Sequence, residues 1–375
     1  MNTPAPRLKV LTVVGTRPEI IRLSAVIKRL DQHVDHVLVH TGQNYDYELN
    51  EVFFEDLGLR RPDHFLEADT SSLGAVLGSI LIATEQVLIK EKPDAMLILG
   101  DTNSSISAVI AKRMKIPVFH MEAGNRSFDE NVPEETNRRL VDHVADYNLV
   151  YTEHARRNLL AEGLHPSRIR LTGSPMKEVL AQNQAGVAAS DVLAREGFTQ
   201  DQFFLVSLHR EENVDHAGRL ESVLEGLQAV GNEYDLPVLV STHPRTRGRI
   251  ESLGGSFDRL VFHKPFGFHD YLALQKAARL VLSDSGTIAE EASLMGFSAV
   301  TLRDAIERPE AEDTGSIVLT GTTSAGIARA VRYVLATSSV GAVPTDYAIS
   351  DTSLRAVSSI ISLAPGFHER VRIRR

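Results

Sequence analysis

One stretch of the chain decides how the rest is interpreted: His120-Met-Glu-Ala-Gly-Asn-Arg-Ser-Phe-Asp-Glu-Asn-Val-Pro-Glu-Glu-Thr-Asn-Arg-Arg139. The apolar residues 116–119 before it predict a short strand, with Glu122 just beyond its carboxyl end, where open α/β sheets bind ligands. Pro133 predicts the first turn of a helix. Three acids that could face a ligand lie among three arginines: Glu122, Glu134, Glu135, Arg126, Arg138 and Arg139. The mixture indicates a site for an anionic substrate that undergoes proton transfer.

A structural role stays open for two of these acids. Glu134 and Glu135 fall in the first turn of the predicted helix, where acids commonly stabilise the helix dipole. The sequence alone does not separate this role from substrate contact.

Apolar runs and helical patterns alternate in both directions from this stretch. The first strand is predicted at residues 8–14 and is followed by the turn Gly15-Thr-Arg-Pro-Glu19, with capping-box spacing between Thr16 and Glu19. Further strands are predicted at 37–39, 95–99, 118–121, 148–151, 169–171, 203–207, 238–240, 260–262, 280–283, 299–302 and 317–319. This rhythm is typical of parallel sheets with right-handed crossovers.

The length of 375 residues predicts two domains. Residues 181–190 are poor in large apolar side chains and form the candidate interdomain region. The expected fold class is α/β, with two doubly wound domains at residues 1–175 and 176–351 whose strand edges face one cleft. A helical pattern at 352–363 begins a C-terminal segment, 352–375, that could pack back on the first domain.

Composition excludes several function classes. Lys and Arg number 40 against 49 Asp and Glu, a formal charge of −9, which argues against nucleic acid or a membrane as the main partner. The absence of cysteine excludes thiol catalysis, disulfides and cysteine-ligated metals. The N-terminal residues lack the apolar region of a signal peptide and no apolar run reaches spanning length, so we expect a cytoplasmic protein.

A second candidate site lies in Leu282-Ser-Asp-Ser-Gly-Thr-Ile-Ala-Glu-Glu291. The small residues 285–287 could present N–H groups and hydroxyls to a phosphate at a helix N-terminus. One turn further, Glu290 or Glu291 could accept hydrogen bonds from ribose hydroxyls. The alternative is an ordinary capped helix, because Asp284 and the serine after it are both good N-cap residues.

Two other predicted strand ends favour the phosphate interpretation. Ser207-Leu-His-Arg-Glu-Glu-Asn213 and Ser241-Thr-His-Pro-Arg-Thr-Arg247 each carry a histidine and an arginine. Together with the turn, they fit a diphosphate site. Neither has the spacing of a helical metal motif, and neither a Walker A motif nor G-x-G-x-x-G occurs at a predicted strand end, which disfavours zinc, ATP and dinucleotide sites.

The motifs that matter as an ordered set are Gly15-Thr-Arg-Pro-Glu19, Gly100-Asp-Thr102, His120-Met-Glu-Ala-Gly124, Pro133-Glu-Glu135, Asn137-Arg138, His209-Arg210, Asp284-Ser-Gly286, Glu290-Glu291 and Glu307-Arg-Pro-Glu310. This set resembles the non-hydrolysing UDP-N-acetylglucosamine 2-epimerase family over nearly the whole chain. The resemblance implies the GT-B fold and interconversion of UDP-GlcNAc and UDP-ManNAc by inversion at C2. It also implies no redox cofactor, no essential metal and a homodimer.

The family's reaction eliminates UDP to leave a 2-acetamidoglucal and then adds UDP back, with the proton delivered to the other face of C2. Elimination needs a base at C2 and stabilisation of the departing diphosphate, and re-addition needs an acid. The resemblance implies that Asp101, Glu122 and Glu134 form the acid/base set, and that His209 is catalytic as well as a diphosphate contact. The substrate-binding residues that it implies are Arg17, Arg210, Ser285 and Gly286 at the diphosphate, Glu291 at the ribose, Tyr271 near the uracil, and Arg22, Arg138, His243, Thr287 and Arg308 in the charged site.

Several residues depart from the commonest form of the family: Gly42-Gln-Asn-Tyr-Asp-Tyr-Glu48 replaces Gln-His-Arg-Glu, Asn125 replaces Leu, Arg22 replaces Lys, Thr287 replaces a second Gly, and Gly173-Ser-Pro-Met176 replaces a Gly-Asn-Thr pattern. These variants resemble the branch that converts UDP-2-acetamido-2,6-dideoxy-L-talose to UDP-N-acetyl-L-fucosamine. They argue against the allosteric UDP-GlcNAc site that some family members have.

Three other functions remain open at this point: a GT-B glycosyltransferase, a hydrolysing epimerase that releases free sugar and UDP, and a UDP-sugar sensor without activity. The carboxylates and arginines of residues 122–139 favour proton transfer at C2 over binding of a sugar acceptor.

Overall fold

The computed structural model describes residues 7–43, 47–242, 244–253, 257–337 and 341–373. Its strands are β1 Lys9–Val14, β2 Asp35–His40, β3 His64–Phe65, β4 Ala95–Leu99, β5 Val118–Met121, β6 Tyr147–Val150, β7 Ile169–Leu171, β8 Phe204–Leu208, β9 Val238–Thr242, β10 Leu260–His263, β11 Leu280–Ser283, β12 Ala299–Thr301 and β13 Val318–Leu319.

The helices alternate with these strands. They are α1 Arg17–His33, α2 Tyr47–Asp56, α3 Leu73–Glu91, α4 Ser107–Arg113, α5 Pro133–Val144, α6 Glu153–Ala161, α7 Met176–Ala189, α8 Val192–Glu196, α9 Glu211–Val214, α10 Ala217–Tyr234, α11 Pro244–Leu253, α12 Phe268–Ala277, α13 Ile288–Met295, α14 Pro309–Asp313, α15 Ser324–Thr337, α16 Thr352–Leu363 and α17 Phe367–Arg370. Short 3₁₀ turns lie at Asn103–Ile106, Pro166–Arg168 and Thr345–Ala348.

The strands form two sheets, and the recorded strand pairs are parallel, so the predicted α/β class is confirmed. The seven-stranded sheet has the order β3-β2-β1-β4-β5-β6-β7, and the six-stranded sheet has the order β10-β9-β8-β11-β12-β13. The sequence analysis missed β3. It is only two residues long, His64 and Phe65, and therefore has no apolar run to detect.

The chain divides into two compact units. The first comprises Met1–Arg126, Val132–Gln182 and Ile349–Arg375, and the second comprises Ser127–Asn131 and Asn183–Ala348. The division falls within α7, inside the candidate interdomain region. This region is helical because it is rich in alanine and glutamine, which have high helix propensity.

The core of the first unit forms on both faces of its sheet. Central parallel strands are covered by helices on both sides and therefore consist of continuous apolar residues, as β4 does. The C-terminal helix α16 packs beside α1, where Arg29 Nε donates to Ser353 Oγ at 2.8 Å. Its first residue is also tied to the end of the sheet region, since Thr352 Oγ1 donates to Ser174 O at 3.0 Å.

Helix α3 departs from the sequence-based expectation. Its 19 residues are long and apolar enough to cross a membrane, by length and composition only, so the prediction that no run reaches spanning length was wrong. One such helix is weak evidence for a membrane span. One side of the helix packs on the core through Val87 and Leu88. Ile82 and Ile89, which are seven residues apart, share a second face that is exposed.

The second unit has apolar clusters on each face of its own sheet. On one face, α10 and α15 pack closely against each other. Gly226 of α10 permits this approach, because a Cβ at that position would lie 3.0 Å from the Cα of Ser324.

Candidate active site

The carboxyl edge of the first sheet brings two of the predicted acids together. Asp101 follows β4 and Glu122 follows β5, and the two strands pair with Leu99 opposite Met121. A Cβ added to Gly100 would lie 3.6 Å from the Oε2 of Glu122, which shows how near this carboxylate is to the neighbouring strand end. The two acids therefore lie at adjacent positions along the edge where α/β sheets bind ligands.

The surrounding structure holds Glu122 in an uncommon backbone conformation. Its φ of 65° lies in the left-handed region, which costs a non-glycine residue about 1–3 kcal/mol. The buried carboxylate pairs with the Arg22 guanidinium from α1 and accepts a hydrogen bond from Asn125 Nδ2 at 3.4 Å. Such strain is concentrated at active sites, which supports a functional role for Glu122.

Asp101 is held by an arginine from α5. Arg138 Nε and Nη2 lie 2.9 and 2.6 Å from the Oδ2 of Asp101, and Arg138 Nη1 lies 3.0 Å from Glu135. Glu135 also pairs with Arg139 at 3.1 Å and is fully buried. Of the two roles that the sequence left open for Glu135, the structure therefore supports the structural one, because this buried acid orients the arginines.

Glu134 differs from its neighbour in exposure. Helix α5 begins at Pro133, as predicted, and Glu134 is half-buried in its first turn. Successive helix positions are about 100° apart, so the turn that buries Glu135 leaves Glu134 on another face. The alternatives that the sequence left open are thus separated: Glu135 is structural, and Glu134 stays a candidate for proton transfer.

A buried charged cluster that the sequence analysis missed supports the end of β5. The fully buried carboxylate of Asp142 accepts a hydrogen bond from Gly124 N at 3.1 Å and lies 3.0 Å from His120 Nδ1 and 2.7 Å from Arg126 Nη1. Burial would raise the pKa of Asp142, but His120 and Arg126 hold it below its ordinary value. The cluster fixes the backbone of residues 120–126, which carries Glu122.

The glycine turn after β1 forms the predicted helix start. Glu19 accepts hydrogen bonds from Gly15 N and from Thr16 N, the latter at 3.3 Å, which confirms the glutamate half of the capping box. Arg17 is the first residue of α1, and its guanidinium carbon lies 5.6 Å from the centre of the Phe53 ring. The half-buried Arg17 is thus placed at a helix N-terminus, where anions bind.

In the second unit, the buried Asp284 carboxylate holds the end of β8. It accepts hydrogen bonds from the N–H groups of His209 at 3.0 Å and Arg210 at 2.9 Å, and its Oδ1 lies 3.0 Å from His209 Nδ1. Burial opposes the charge, but His209 and the backbone donors outweigh it and lower the pKa of Asp284 to about 2. The capped-helix alternative holds in part. Thr287 is the N-cap residue of α13 and makes no side-chain cap hydrogen bond, but Ser285 Oγ accepts a hydrogen bond from Thr287 N at 3.3 Å, whereas the Asp284 carboxylate is directed to residues 209 and 210.

The turn 285–287 leads into α13 and has the features of an anion site. Its two hydroxyl oxygens lie 2.9 Å apart at the helix start. Gly286 permits a close approach, since a Cβ there would lie 2.6 Å from the Oε1 of Glu307. Arg210 Nη2 lies 3.4 Å from the same carboxylate, so a cation flanks the turn. This arrangement can stabilise a phosphate.

Two further predicted site residues are Arg308, which contacts the turn 285–287, and Glu291, which lies in α13. Arg308, which is 1% exposed, donates from Nε to Gly286 O at 2.8 Å and pairs with Glu290 at 2.9 Å. The carboxylate of Glu291 instead accepts a hydrogen bond from Gln275 Nε2 at 2.6 Å. Since Glu290 is fully buried with Arg308, Glu291 remains the candidate for the ribose.

Two more residues that the sequence analysis expected to bind the substrate are Tyr271 and His243. Tyr271 of α12 shares hydrogen bonds with Ser207 and Gln275, and burial raises the pKa of its hydroxyl. His243 lies outside the described residues, as do residues 44–46 of the divergent stretch. Among the described residues, no group of three His, Asp or Glu side chains is arranged to hold a metal ion.

The sequence profile described as UDP-N-acetylglucosamine 2-epimerase matches residues 28–361. The structure is similar to that of UDP-N-acetylglucosamine 2-epimerase from Rickettsia bellii, with a TM-score of 0.91 and 43% identity over 98% of this chain and 100% of the other. It is also similar to the Methanocaldococcus jannaschii UDP-GlcNAc 2-epimerase in complex with UDP-GlcNAc and UDP, with a TM-score of 0.89 and 36% identity over 95% of this chain and 100% of the other.

A relative with a different sugar in its name is almost as similar. The UDP-2,3-diacetamido-2,3-dideoxy-D-glucuronate 2-epimerase of Pseudomonas aeruginosa is 38% identical over 321 residues, which cover 84% of this chain and 88% of that protein. The level of identity alone therefore does not select one UDP sugar.

Proposed function

This chain belongs to the UDP-N-acetylglucosamine 2-epimerase family, and we propose that it inverts C2 of a UDP-activated 2-acetamido sugar by eliminating UDP and adding it back. The observation that carries the proposal is the pair of acids at adjacent strand ends, Asp101 and Glu122, each fixed by an arginine. A second sheet edge with an anion turn beside Arg210 suits the diphosphate.

The chemistry of C2 explains the need for several acids. The C2 hydrogen is not next to a carbonyl group, so its removal alone gives no stabilised enolate. A carboxylate accepts this proton while the bond from C1 to the UDP oxygen breaks with its electron pair, which leaves a C1–C2 double bond. In the return step, an acid delivers a proton to the opposite face of C2 while a UDP oxygen bonds to C1.

We assign the proton transfers to Asp101, Glu122 and Glu134. Fixed carboxylates suit this task, because a general acid or base must lie within hydrogen-bond reach of the proton that it moves. Arg138 and Arg22 orient the first two, so neither carboxylate needs to reorganise during the reaction.

We assign stabilisation of the departing diphosphate to the turn 285–287 together with Arg210, His209 and Arg17. Helix N-termini and fixed cations act most strongly where negative charge develops in the transition state. The Asp284 carboxylate supports this role for His209, since it fixes Nδ1 and leaves a side chain that is 47% exposed. Glu291 is the proposed ribose contact and Tyr271 the residue near the uracil.

The finer substrate proposal is UDP-2-acetamido-2,6-dideoxy-L-talose, which would be converted to UDP-N-acetyl-L-fucosamine. It rests on the divergent residues of the sequence, including Asn125, which contacts Glu122, and Arg22 in the place of the usual lysine. Arginine presents a planar fork of donors where lysine presents a point charge, so this change alters how Glu122 is oriented. UDP-GlcNAc and UDP-ManNAc are the second candidate pair.

The test is to incubate the purified protein with each candidate UDP sugar and follow the C2 stereochemistry by NMR. The protein is first dialysed against EDTA, and no nicotinamide cofactor or sugar acceptor is added. Inversion with one sugar and conservation of the UDP linkage supports the proposal. Stoichiometric accumulation of UDP would favour the hydrolysing epimerase, and loss of activity that one metal restores would overturn the metal-free mechanism.

A homodimer in the cytoplasm is part of the same proposal. The exposed apolar face of α3 supports self-association, because exposed patches of this kind commonly mark protein interfaces. Sedimentation of the protein as a monomer at working concentration would contradict the dimer, and recovery in the membrane fraction of cells would contradict the location.

A further inference from the structure

We propose that Glu19 is a positioning residue that fixes the spacing between Arg17, a diphosphate contact, and Asp101, an acid/base residue. The proposal rests on the function proposed above, which gives these two residues their roles. Glu19 was noticed in the sequence only as half of a capping box. Its contacts go well beyond those of a helix cap.

Each carboxylate oxygen of Glu19 serves a different turn. Oε2 accepts hydrogen bonds from Gly15 N and Thr16 N in the turn that leads to Arg17. Oε1 accepts hydrogen bonds from Thr102 Oγ1 and, at 2.8 Å, from Ser104 Oγ, in the turn after Asp101. One side chain thus joins the ends of β1 and β4, two adjacent strands of the sheet.

The position of each turn controls one functional residue. Thr16 directly precedes Arg17, and Thr102 directly follows Asp101 in the sequence. A movement of either turn relative to the other would therefore shift the arginine relative to the acid. The Asp101 side chain is held separately by Arg138, so Glu19 acts on the backbone that carries it.

The end of β2 is drawn into the same cluster. Gln43 Nε2 donates to Thr102 Oγ1 at 3.3 Å. Gly15 is so closely packed that an added Cβ would lie 2.4 Å from Thr41 Oγ1 and 2.7 Å from Gln43 Nε2. The turns after β1, β2 and β4 therefore form one packed polar cluster, with Glu19 at its centre.

The burial of Glu19 shows that this carboxylate is not an ordinary cap. Its side chain is 1% exposed, and among the described residues its hydrogen bonds come from four neutral donors rather than from an arginine or a lysine. Burial without a cation raises the pKa of Glu19 to about 7, although these hydrogen bonds oppose the rise. A helix cap contributes only about 1 kcal/mol to stability and does not require such burial. The link between the two turns therefore explains the burial of Glu19 better than capping does.

The experiment compares three substitutions that separate geometry from charge. Glu19→Gln keeps the length: its amide oxygen can face the two backbone N–H groups, and its NH₂ can donate to the hydroxyls of Thr102 and Ser104, which rotate to accept. Glu19→Asp keeps the charge but is too short to reach both turns. Glu19→Ala removes the link. The parent protein and each variant are assayed for kcat, KM and the Kd of UDP.

We expect Glu19→Asp and Glu19→Ala to lower kcat by about 10- to 100-fold, because small displacements of reacting groups have effects of this size. The Kd of UDP should rise by no more than about tenfold, because Arg17 is one of several proposed diphosphate contacts and the others lie in the second unit. Glu19→Gln should restore kcat to within about fivefold of the parent. Equal loss in Glu19→Gln and Glu19→Ala would overturn the proposal, because the charge itself would then be required. Normal kcat in all three variants would overturn it as well.

A variant at the other end of the link controls for misfolding of the Glu19 variants. Amide hydrogen exchange is a second measurement, and it tests the link independently of the proposed function. Thr102→Val removes one contact to Oε1 without touching the helix start, and should lower kcat by about tenfold with UDP affinity retained. Amide hydrogen exchange of Glu19→Ala should be faster in both residues 15–17 and 101–104. If the parent protein does not invert C2, the proposed function is wrong, and the exchange pattern alone then tests whether Glu19 links the two turns. Faster exchange in only one of the two turns would contradict it.

Discussion

The carboxyl edges of the two sheets each pair an aspartate with a basic side chain, and the aspartate has opposite roles in the two pairs. In the Asp101–Arg138 pair of the first unit the acid is the more exposed partner: the Asp101 side chain is 22% exposed and that of Arg138 is 3% exposed. In the His209–Asp284 pair of the second unit the basic side chain is the more exposed partner: His209 is 47% exposed and Asp284 is fully buried. In each of these two pairs, one side chain is open to a ligand and the other supports it. Counting acids and arginines in a motif does not reveal which charge has which role.

The largest expected effect comes from neutralising the three candidate acid/base residues of the first unit. Asp101→Asn, Glu122→Gln and Glu134→Gln should each lower kcat by about 10²–10⁴-fold, because a positioned general acid or base typically contributes this much. The amides keep shape and hydrogen bonding, so the Kd of UDP should remain within a few-fold. NMR of C2 inversion and calorimetric titration with UDP measure the two quantities.

The matched control for these variants is Glu291→Gln in the second unit. It should weaken UDP binding by about tenfold, because its proposed partner is the ribose, and should affect kcat less. If Glu122→Gln or Glu134→Gln turns over at the normal rate, that acid is structural and another group must reach C2.

A smaller effect on catalysis is expected from neutralising Asp284, the buried carboxylate that holds His209 in the second unit. Asp284→Asn should lower kcat by about 10²-fold and also weaken UDP binding, because the amide no longer fixes His209 by its charge. A matched change is Asp304→Asn, an exposed carboxylate on the same unit that pairs with Arg219. Equal kinetics for the two variants would show that Asp284 does not act through His209.

The same carboxylate predicts a pH dependence of stability. Its pKa is lowered from 3.8 to about 2 in the folded protein, so its stabilising contribution is complete above about pH 4 and is lost as the pH falls towards 2. The contribution is on the order of 2 kcal/mol. Urea denaturation at a series of pH values should show the parent and Asp284→Asn converging in unfolding free energy at the acid end. A constant difference across this range would contradict the lowered pKa.

The smallest effect on activity is expected from the exposed apolar face of α3. Ile82→Glu places a charge on the exposed apolar face and should shift the protein from dimer to monomer in sedimentation velocity, because a buried unpaired charge is costly at an interface. The fold and UDP affinity should be unchanged. Tyr333→Glu, at an exposed aromatic position of the second unit, is the control that should leave the dimer intact. A dimeric Ile82→Glu protein would exclude this face as the interface.

Much of the fold could be predicted from the sequence because apolar runs and small-residue turns are local signals. The strand before the glycine turn and the strands at residues 95–99 and 118–121 were located in this way, and Pro133 marked the start of α5. The two-residue strand β3 gave no such signal.

The supporting residues could not be predicted because their partners are distant in the chain. Asp284 holds His209 from 75 residues away, and Asp142 holds Gly124 from 18 residues away. A mid-helix aspartate such as Asp142 is indistinguishable from a solvated one until its burial is known. The same limitation explains why the roles of Glu134 and Glu135 stayed open in the sequence, since only the orientation of α5 separates the two acids.

The measurement that tests the central claim most directly is the reaction in D₂O. If a carboxylate of the first edge removes the C2 proton and a solvent-exchanged acid returns one, the product must carry deuterium at C2, as read by ¹H NMR and mass spectrometry. Incorporation should be lost together with turnover in Glu122→Gln. Product that forms at the normal rate and retains the original hydrogen at C2 would contradict the elimination mechanism and, with it, the assignment of the first edge to proton transfer.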